Sequence, residues 1–199
     1  MKVKIKKEGK VETFNLINNW GDVSLSTWLQ LIDFETGTKT EEATQTIEAL
    51  SDIPKKLVKE LSLSDVAVIM NKIGELQAKQ DTKLKRLIEI NGIEYGFHPD
   101  LSSITLGEYA DIEQFIKNGI DSSLPELMSV LYRPIKLKKN DIYIIDSYDG
   151  DIRLRAEEMK QMSAEQVQSA LVFFYTLGKV LSEILPLYLM ERLKETKTQ

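Results

Sequence analysis

Two stretches of this chain alternate apolar and charged residues around a glycine, and each is followed by stretches whose apolar residues recur every three or four positions. The first pairs Val3 and Ile5 with Val11 and Thr13 across Glu8-Gly9-Lys10, the pattern of a half-buried hairpin. After Asn18-Asn-Trp-Gly-Asp22, Ser24 is placed as an N-cap, with Val23 and Trp28 as a hydrophobic staple, predicting a helix to about Phe34. Ala43, Ile47 and Leu50 define a second helix, Pro54 begins a short third, and Ser62 with Asp65 caps a fourth carrying Val66, Ile69, Met70, Ile73 and Leu76. The lysine-rich segment from Gln77 to Lys85 reads as a solvated helix tail and linker.

The pattern then restarts. Leu87 to Phe97 forms two alternating runs joined at Asn91-Gly92, a strong hairpin signal. Thr105 and Glu108 form a capping box with Ile104 and Tyr109 as its staple, and Leu106, Tyr109, Ile112, Phe115 and Ile116 make the expected buried stripe up to Gly119. Leu124, Leu127, Met128 and Leu131 define the next helix, expected to stop at Arg133 before Pro134. Asp141 to Asp146 and Ile152 to Leu154 flank Asp149-Gly150 as a third hairpin, and Glu157 to Gln161 reads as a short polar helix. Ser163 and Gln166 cap a long final helix, kinked or broken at Pro186.

The two halves align. Gly9 and Phe14 fall on Gly92 and Phe97 at an offset of 83, and Val23, Leu25, Trp28, Phe34, Ile47 and Leu50 fall on Ile104, Leu106, Tyr109, Phe115, Met128 and Leu131 at 81, with two residues lost in the intervening loop. Ser62, Val66, Met70, Ile73 and Leu76 match Ser163, Val167, Leu171, Phe174 and Leu177 at 101, so twenty residues are inserted in the second half. The expected fold is mainly α with small antiparallel β-hairpins, an α+β class built from two tandem divergent hairpin-plus-helices units. These span residues 1–80 and 81–199, the second with an inserted hairpin near 136–155 and a long C-terminal helix.

Composition narrows the chemistry. At 199 residues with 42% hydrophobic and 29% charged, the chain can bury a sizeable core as one domain or two small ones. A formal charge of -5 opposes nucleic acid as a principal partner. With no cysteine there is no disulfide, thiolate nucleophile or zinc-thiolate site, and the start lacks the apolar core of a secretory signal, which together fit the cytoplasm.

No constellation argues a reaction, and no catalytic, cofactor-binding or metal-ligating residue is assigned. His98 is the only histidine and reads as a loop residue without a positioned partner. Asp146, Asp149, Asp151 and Glu157 have the span of a calcium loop, but Tyr148 and Gly150 occupy ligand positions, so a turn is favoured over a metal site. Lys179, Glu183 and Pro186 interrupt the apolar run from Val167 to Met190, which favours a buried helix over a membrane span. Its apolar residues occupy more than one face. Phe173, Phe174, Leu177, Leu181, Leu185 and Tyr188 are the candidate partner-binding residues, with core packing as the alternative.

Ile104-Thr-Leu-Gly-Glu-Tyr-Ala-Asp-Ile-Glu-Gln-Phe115, Leu131-Tyr-Arg-Pro134 and Ala170-Leu-Val-Phe-Phe-Tyr175 resemble small proteins encoded among the morphogenesis genes of tailed bacteriophages. The resemblance is to tail assembly chaperone-like and related virion proteins, including those of crAss-like phages. It covers about Leu87 to Gly178 and lies in helix-start and core patterns rather than catalytic signatures. It implies a non-enzymatic, helical protein that binds other phage tail or virion proteins in the host cytoplasm, without a cofactor. The alternative it implies is a permanent virion component in multiple copies, for which a homo-oligomer would be natural.

Overall fold

A computed structural model describes residues 1–7, 10–34, 37–77, 83–140 and 142–172. The six partner-binding candidates, the kink at Pro186, residues 78–82 of the expected linker and the Glu8-Gly9 turn lie outside the described residues. The fold is α+β. A two-stranded antiparallel sheet, β1 (Lys2–Lys7) and β2 (Lys10–Asn15), precedes helices α1 (Leu25–Phe34), α2 (Lys39–Leu50), α3 (Lys55–Val58) and α4 (Leu63–Gln77). A four-stranded antiparallel sheet in the order β3-β4-β5-β6 follows, from β3 (Leu87–Ile90), β4 (Ile93–Phe97), β5 (Tyr132–Lys139) and β6 (Ile142–Ile145). Helices α5 (Leu106–Asn118) and α6 (Leu124–Leu131) lie between β4 and β5, α7 (Ile152–Met159) follows β6, and residues 164–172 form α8.

Local chemistry explains most of these boundaries. Asn91 and Gly92 turn the β3–β4 hairpin at φ of 51° and 78°, a region where asparagine and glycine are tolerated. Thr38 with Glu41 and Thr105 with Glu108 form complete capping boxes, satisfying orphan amides at the starts of α2 and α5. Ser24, Ser62 and Ser163 each accept an amide three residues on, and Gln166 returns a bond to the Ser163 amide. Gly119 ends α5 at φ 101°.

The repeat is visible as a recurring pair of backbone contacts. The Ile17 amide donates to Leu50 O, and the His98 amide donates to Leu131 O; both residues are displaced by 81 (98 minus 17, 131 minus 50). The bridge Leu16↔Ser51 likewise corresponds to Phe97↔Tyr132 (97 minus 16, 132 minus 51). In each unit a hairpin strand is therefore tied to the chain leaving the second long helix. This corrects the placement of the two residues assigned to the loop: they belong to β2, because the first hairpin continues through Lys6↔Val11 and Lys7↔Lys10, two residues on each strand beyond the equivalent of Ile90↔Ile93.

Three further expectations change. Alpha6 ends at Leu131 rather than Arg133, because Tyr132 to Pro134 pair with β4. The third hairpin joins β5 to β6 through Asn140 at φ 53°, and Ile152 to Leu154 are helical. Ile152, Ala156 and Met159 follow helical spacing, and the last two are buried. Of the apolar stripe expected on α5 only Ile112 is buried, Phe115 packs at the core edge, and Leu106 is 83% exposed with Tyr109 and Ile116 half-exposed.

Two hydrophobic clusters form. Val3, Ile5, Leu16, Trp20, Ile47, Leu50, Ile69 and Ile73 centre the first; Phe97, Leu124, Leu127, Met128, Leu131, Tyr132, Met159 and Met162 centre the second. They interlock at one seam. Leu25 of α1 packs in the second cluster and Ala164 of α8 in the first, where the Leu25 amide donates to Met162 O and the Ala164 amide to Val23 O, both at 2.7 Å.

Candidate interaction surface on the inserted hairpin

In the first unit the chain leaving α2 makes a single bridge, and Pro54 then begins α3. In the second, the same position is prolonged into β5 and returns as β6, so the insertion adds a bent hairpin to the sheet. Beta5 pairs with β4 through Tyr132, Arg133 and Pro134, shifts register between Ile135 and Leu137, and then pairs with β6. A bulge of this kind bends the strand, and the arm folds back over β4. Tyr143 of β6 reaches across to donate its hydroxyl to Phe97 O at 2.6 Å. Gly96 makes that approach available, since a Cβ there would lie 2.4 Å from Tyr143 Cε2 and 2.9 Å from Ile145 Cγ2.

A buried ionic cluster fixes the other end of the insertion. Glu108, 1% exposed, accepts from the Thr105 amide at 2.7 Å and hydroxyl at 2.6 Å, and its second oxygen lies 2.7 Å from Arg133 Nη2 and 3.6 Å from His98 Nε2. Burial by itself would raise the Glu108 carboxyl, but the Thr105 hydroxyl and amide, Arg133 and His98 hold it below the usual carboxylate range. Burial pushes the His98 imidazole down, a shift only partly opposed by Glu108, so the ring is biased toward its neutral form. Tyr148, from the loop after β6, stacks over Arg133 at 5.7 Å and donates its hydroxyl to Asp111 on α5, while Arg155 of α7 approaches the same ring at 6.0 Å. Burial first, then the bond to Asp111, raises the Tyr148 phenol and keeps it protonated as a donor.

In the sequence these residues belong to separate local signals: His98 to a loop, Glu108 to a cap and Arg133 to a helix end. No local signal joins them, because they meet only when β4, α5 and β5 pack. Glu108 and Arg133 tie the start of α5 to the start of β5, so the cluster positions the insertion.

The acidic group at Asp146 to Glu157 is dispersed. Asp149 accepts from Arg155 at 2.8 Å and from the Asp151 amide, and Glu157 pairs with Lys160. Among the described residues no three His, Asp or Glu side chains converge as metal ligands would, and no described helix is long and apolar enough to cross a membrane.

Beside exposed lysines, the insertion presents three apolar residues outward. Leu137 and Ile144 are cross-strand partners on the face opposite Tyr143, with Ile142 beside them, and they are 63%, 55% and 78% exposed. Leu154 of α7 and Leu106 of α5 are exposed as well. Single exposed apolar residues are ordinary, whereas a cofacial group on a well-anchored element is the usual mark of a binding surface. The partner surface expected on the C-terminal run lies outside the described residues; the alternation Ile142-Tyr-Ile144 is the sequence signal for this other candidate. Comparison of the chain with protein-family models, with curated proteins and with solved structures finds no match.

Proposed function

We propose that this is a non-enzymatic assembly protein of a tailed bacteriophage, one that binds other tail or virion proteins in the host cytoplasm. The observation carrying this reading is the inserted hairpin, whose inner side is anchored by Tyr143 and whose outer side leaves Leu137, Ile142 and Ile144 in solvent. An arm held so firmly yet left apolar outside is suited to recognising a protein surface. The resemblance of Ile104 to Phe115 and of Leu131 to Pro134 to tail assembly chaperone-like proteins supplies the biological setting. Phe173, Phe174, Leu177, Leu181, Leu185 and Tyr188 are proposed as a further contact region on sequence grounds.

The test is co-expression with individual tail and virion proteins of the encoding phage, followed by co-purification, with the chain carrying Leu137→Ser, Ile142→Ser and Ile144→Ser as control. Retention of a tail protein by the native chain and its loss from the variant supports the proposal; no retention by either chain refutes it. Mass spectrometry of purified particles separates the two roles: absence from mature virions marks a transient factor, and recovery in multiple copies marks a permanent component.

A further inference from the structure

We propose that this chain associates head to tail with other copies of itself: the start of α5 in one copy docks in the groove between α2, α3 and α4 of another, repeating the seam that joins the two units within one chain. The inference goes beyond the proposed function and does not rest on it.

The seam within the chain is the template. It joins the start of α1 to the start of α8 through the antiparallel bridge Ser24↔Ser163, closed by the bonds from the Leu25 amide to Met162 O and from the Ala164 amide to Val23 O. Leu25 and Ala164, both fully buried, cross in opposite directions into the cluster of the other unit. Because the chain is a repeat, each half of the seam occurs twice. The start of α1 recurs 81 residues on as Ile104-Thr-Leu106, and the start of α8 has its counterpart 101 residues earlier in Leu61-Ser-Leu63. These two halves do not meet within the chain. Leu63 is 88% and Leu106 83% exposed, the two highest values among the exposed large apolar residues described. Among the described residues no backbone bond reaches the Leu63 and Leu106 amides or the Leu61 and Ile104 carbonyls, the groups equivalent to those that close the seam.

The groove matches the exposed side chain. Ala43, Ile47, Val58, Leu61 and Val66 line an open cavity of about 490 Å³. By the same two offsets they correspond to Leu124, Met128, Met159, Met162 and Val167, which share a cluster with Leu25. The seat that Leu25 fills in the second unit is thus open in the first, and the residue equivalent to Leu25 is Leu106. The inserted hairpin leaves this end of α5 accessible: Tyr148 packs beside Gly107, yet Thr105 and Leu106 are exposed. Every copy of the chain carries both halves, so a second copy supplies the apolar side chain and the backbone partners at once. Such a contact is heterologous, with α5 offered to one neighbour and the groove to another, and it can repeat into a closed ring or an open filament.

Sedimentation velocity of the full chain over a concentration series is the test. The native chain should associate reversibly as concentration rises. Leu63→Asp and Leu106→Asp should each weaken association about tenfold or more, as loss of one buried leucine implies. Thermal midpoints at low concentration should stay unchanged, because both leucines are exposed first residues of helices, where an aspartate suits the helix dipole. The two variants mixed in equal amounts separate this contact from a symmetric one. The Leu106→Asp chain keeps its groove and the Leu63→Asp chain keeps its α5 start, so the mixture should form a one-to-one pair that grows no further. A native chain that stays monomeric at every concentration would overturn the proposal, whatever else fills the groove. So would association that survives both substitutions, or variants that fail to pair when mixed. The assay uses this chain alone: its failure leaves the proposed function standing, and failure of co-purification leaves the seam standing.

Discussion

Gly96→Ala is the sharpest single test of how the inserted arm is held. Gly96 sits in β4 between Leu87 of β3 and Arg133 of β5, with the Tyr143 ring directly over its Cα. In an ordinary strand interior, alanine in place of glycine stabilises by about 0.5–1 kcal/mol. Here the added methyl would stand 2.4 Å and 2.6 Å from two ring carbons of a residue tethered through its hydroxyl to Phe97 O. The ring cannot swing aside without losing that bond, worth about 1 kcal/mol, and overpacking typically costs about 1–3 kcal/mol. Set against the glycine-to-alanine gain, the net expectation is destabilisation by about 1–3.5 kcal/mol, a fall in the urea midpoint of about 0.5 M or more. Amide exchange should quicken in 142–145 before it does in α6. Adding Tyr143→Ala should remove most of the penalty, giving a coupling of about 1–3 kcal/mol in a double-mutant cycle. Unchanged stability and exchange in the single variant, or additive losses in the cycle, would refute the contact as the anchor of the arm.

The buried cluster yields the other expectations. His98 and Glu108 both titrate below their ordinary values of 6.5 and 4.5, so each contribution is complete above its ordinary value and is lost as pH falls toward the folded one. Urea midpoints should therefore fall in two stages on acidification, and His98→Gln should flatten the stage that begins near 6.5 while leaving the carboxylate stage. Arg133→Ala leaves Glu108 without its guanidinium and should cost about 3–5 kcal/mol, whereas Arg133→Met combined with Glu108→Gln should cost less than Arg133→Ala alone, as measured by chemical denaturation. Thr105→Ala removes both a cap and a donor to the buried carboxylate, so its loss of about 1–2 kcal/mol should exceed that of Ser24→Ala, and Thr105→Ser should restore most of it.

Features that depend on neighbouring residues were legible in the chain itself. The turn at Asn91-Gly92, the capping box at Thr105 and Glu108, the caps at Ser24, Ser62 and Ser163, and the recurrence of hairpin and helices at an offset of 81 all arise from contacts within a few positions, or from comparing one stretch with another. Packing decided the rest. Asparagine at Asn140 accepted a left-handed turn that the Asp149-Gly150 signal overshadowed, and Tyr132 to Pro134 left the helix because β4 offered backbone partners. Leu106 lies at a helix start with an apolar pattern on both sides, yet it is 83% exposed.

Most helices, their caps and the first two hairpins thus follow from short-range sterics and hydrogen bonding, whereas the strand expected at Ile152 to Leu154 became helix. It took packing to bring Glu108, His98 and Arg133 into one buried site, to seat Tyr143 on Gly96, and to turn Leu137, Ile142 and Ile144 outward. Each joins residues far apart in the chain or sets which face of a strand is covered. Periodicity marks an apolar face, and the neighbours that reach it decide whether that face becomes core or surface.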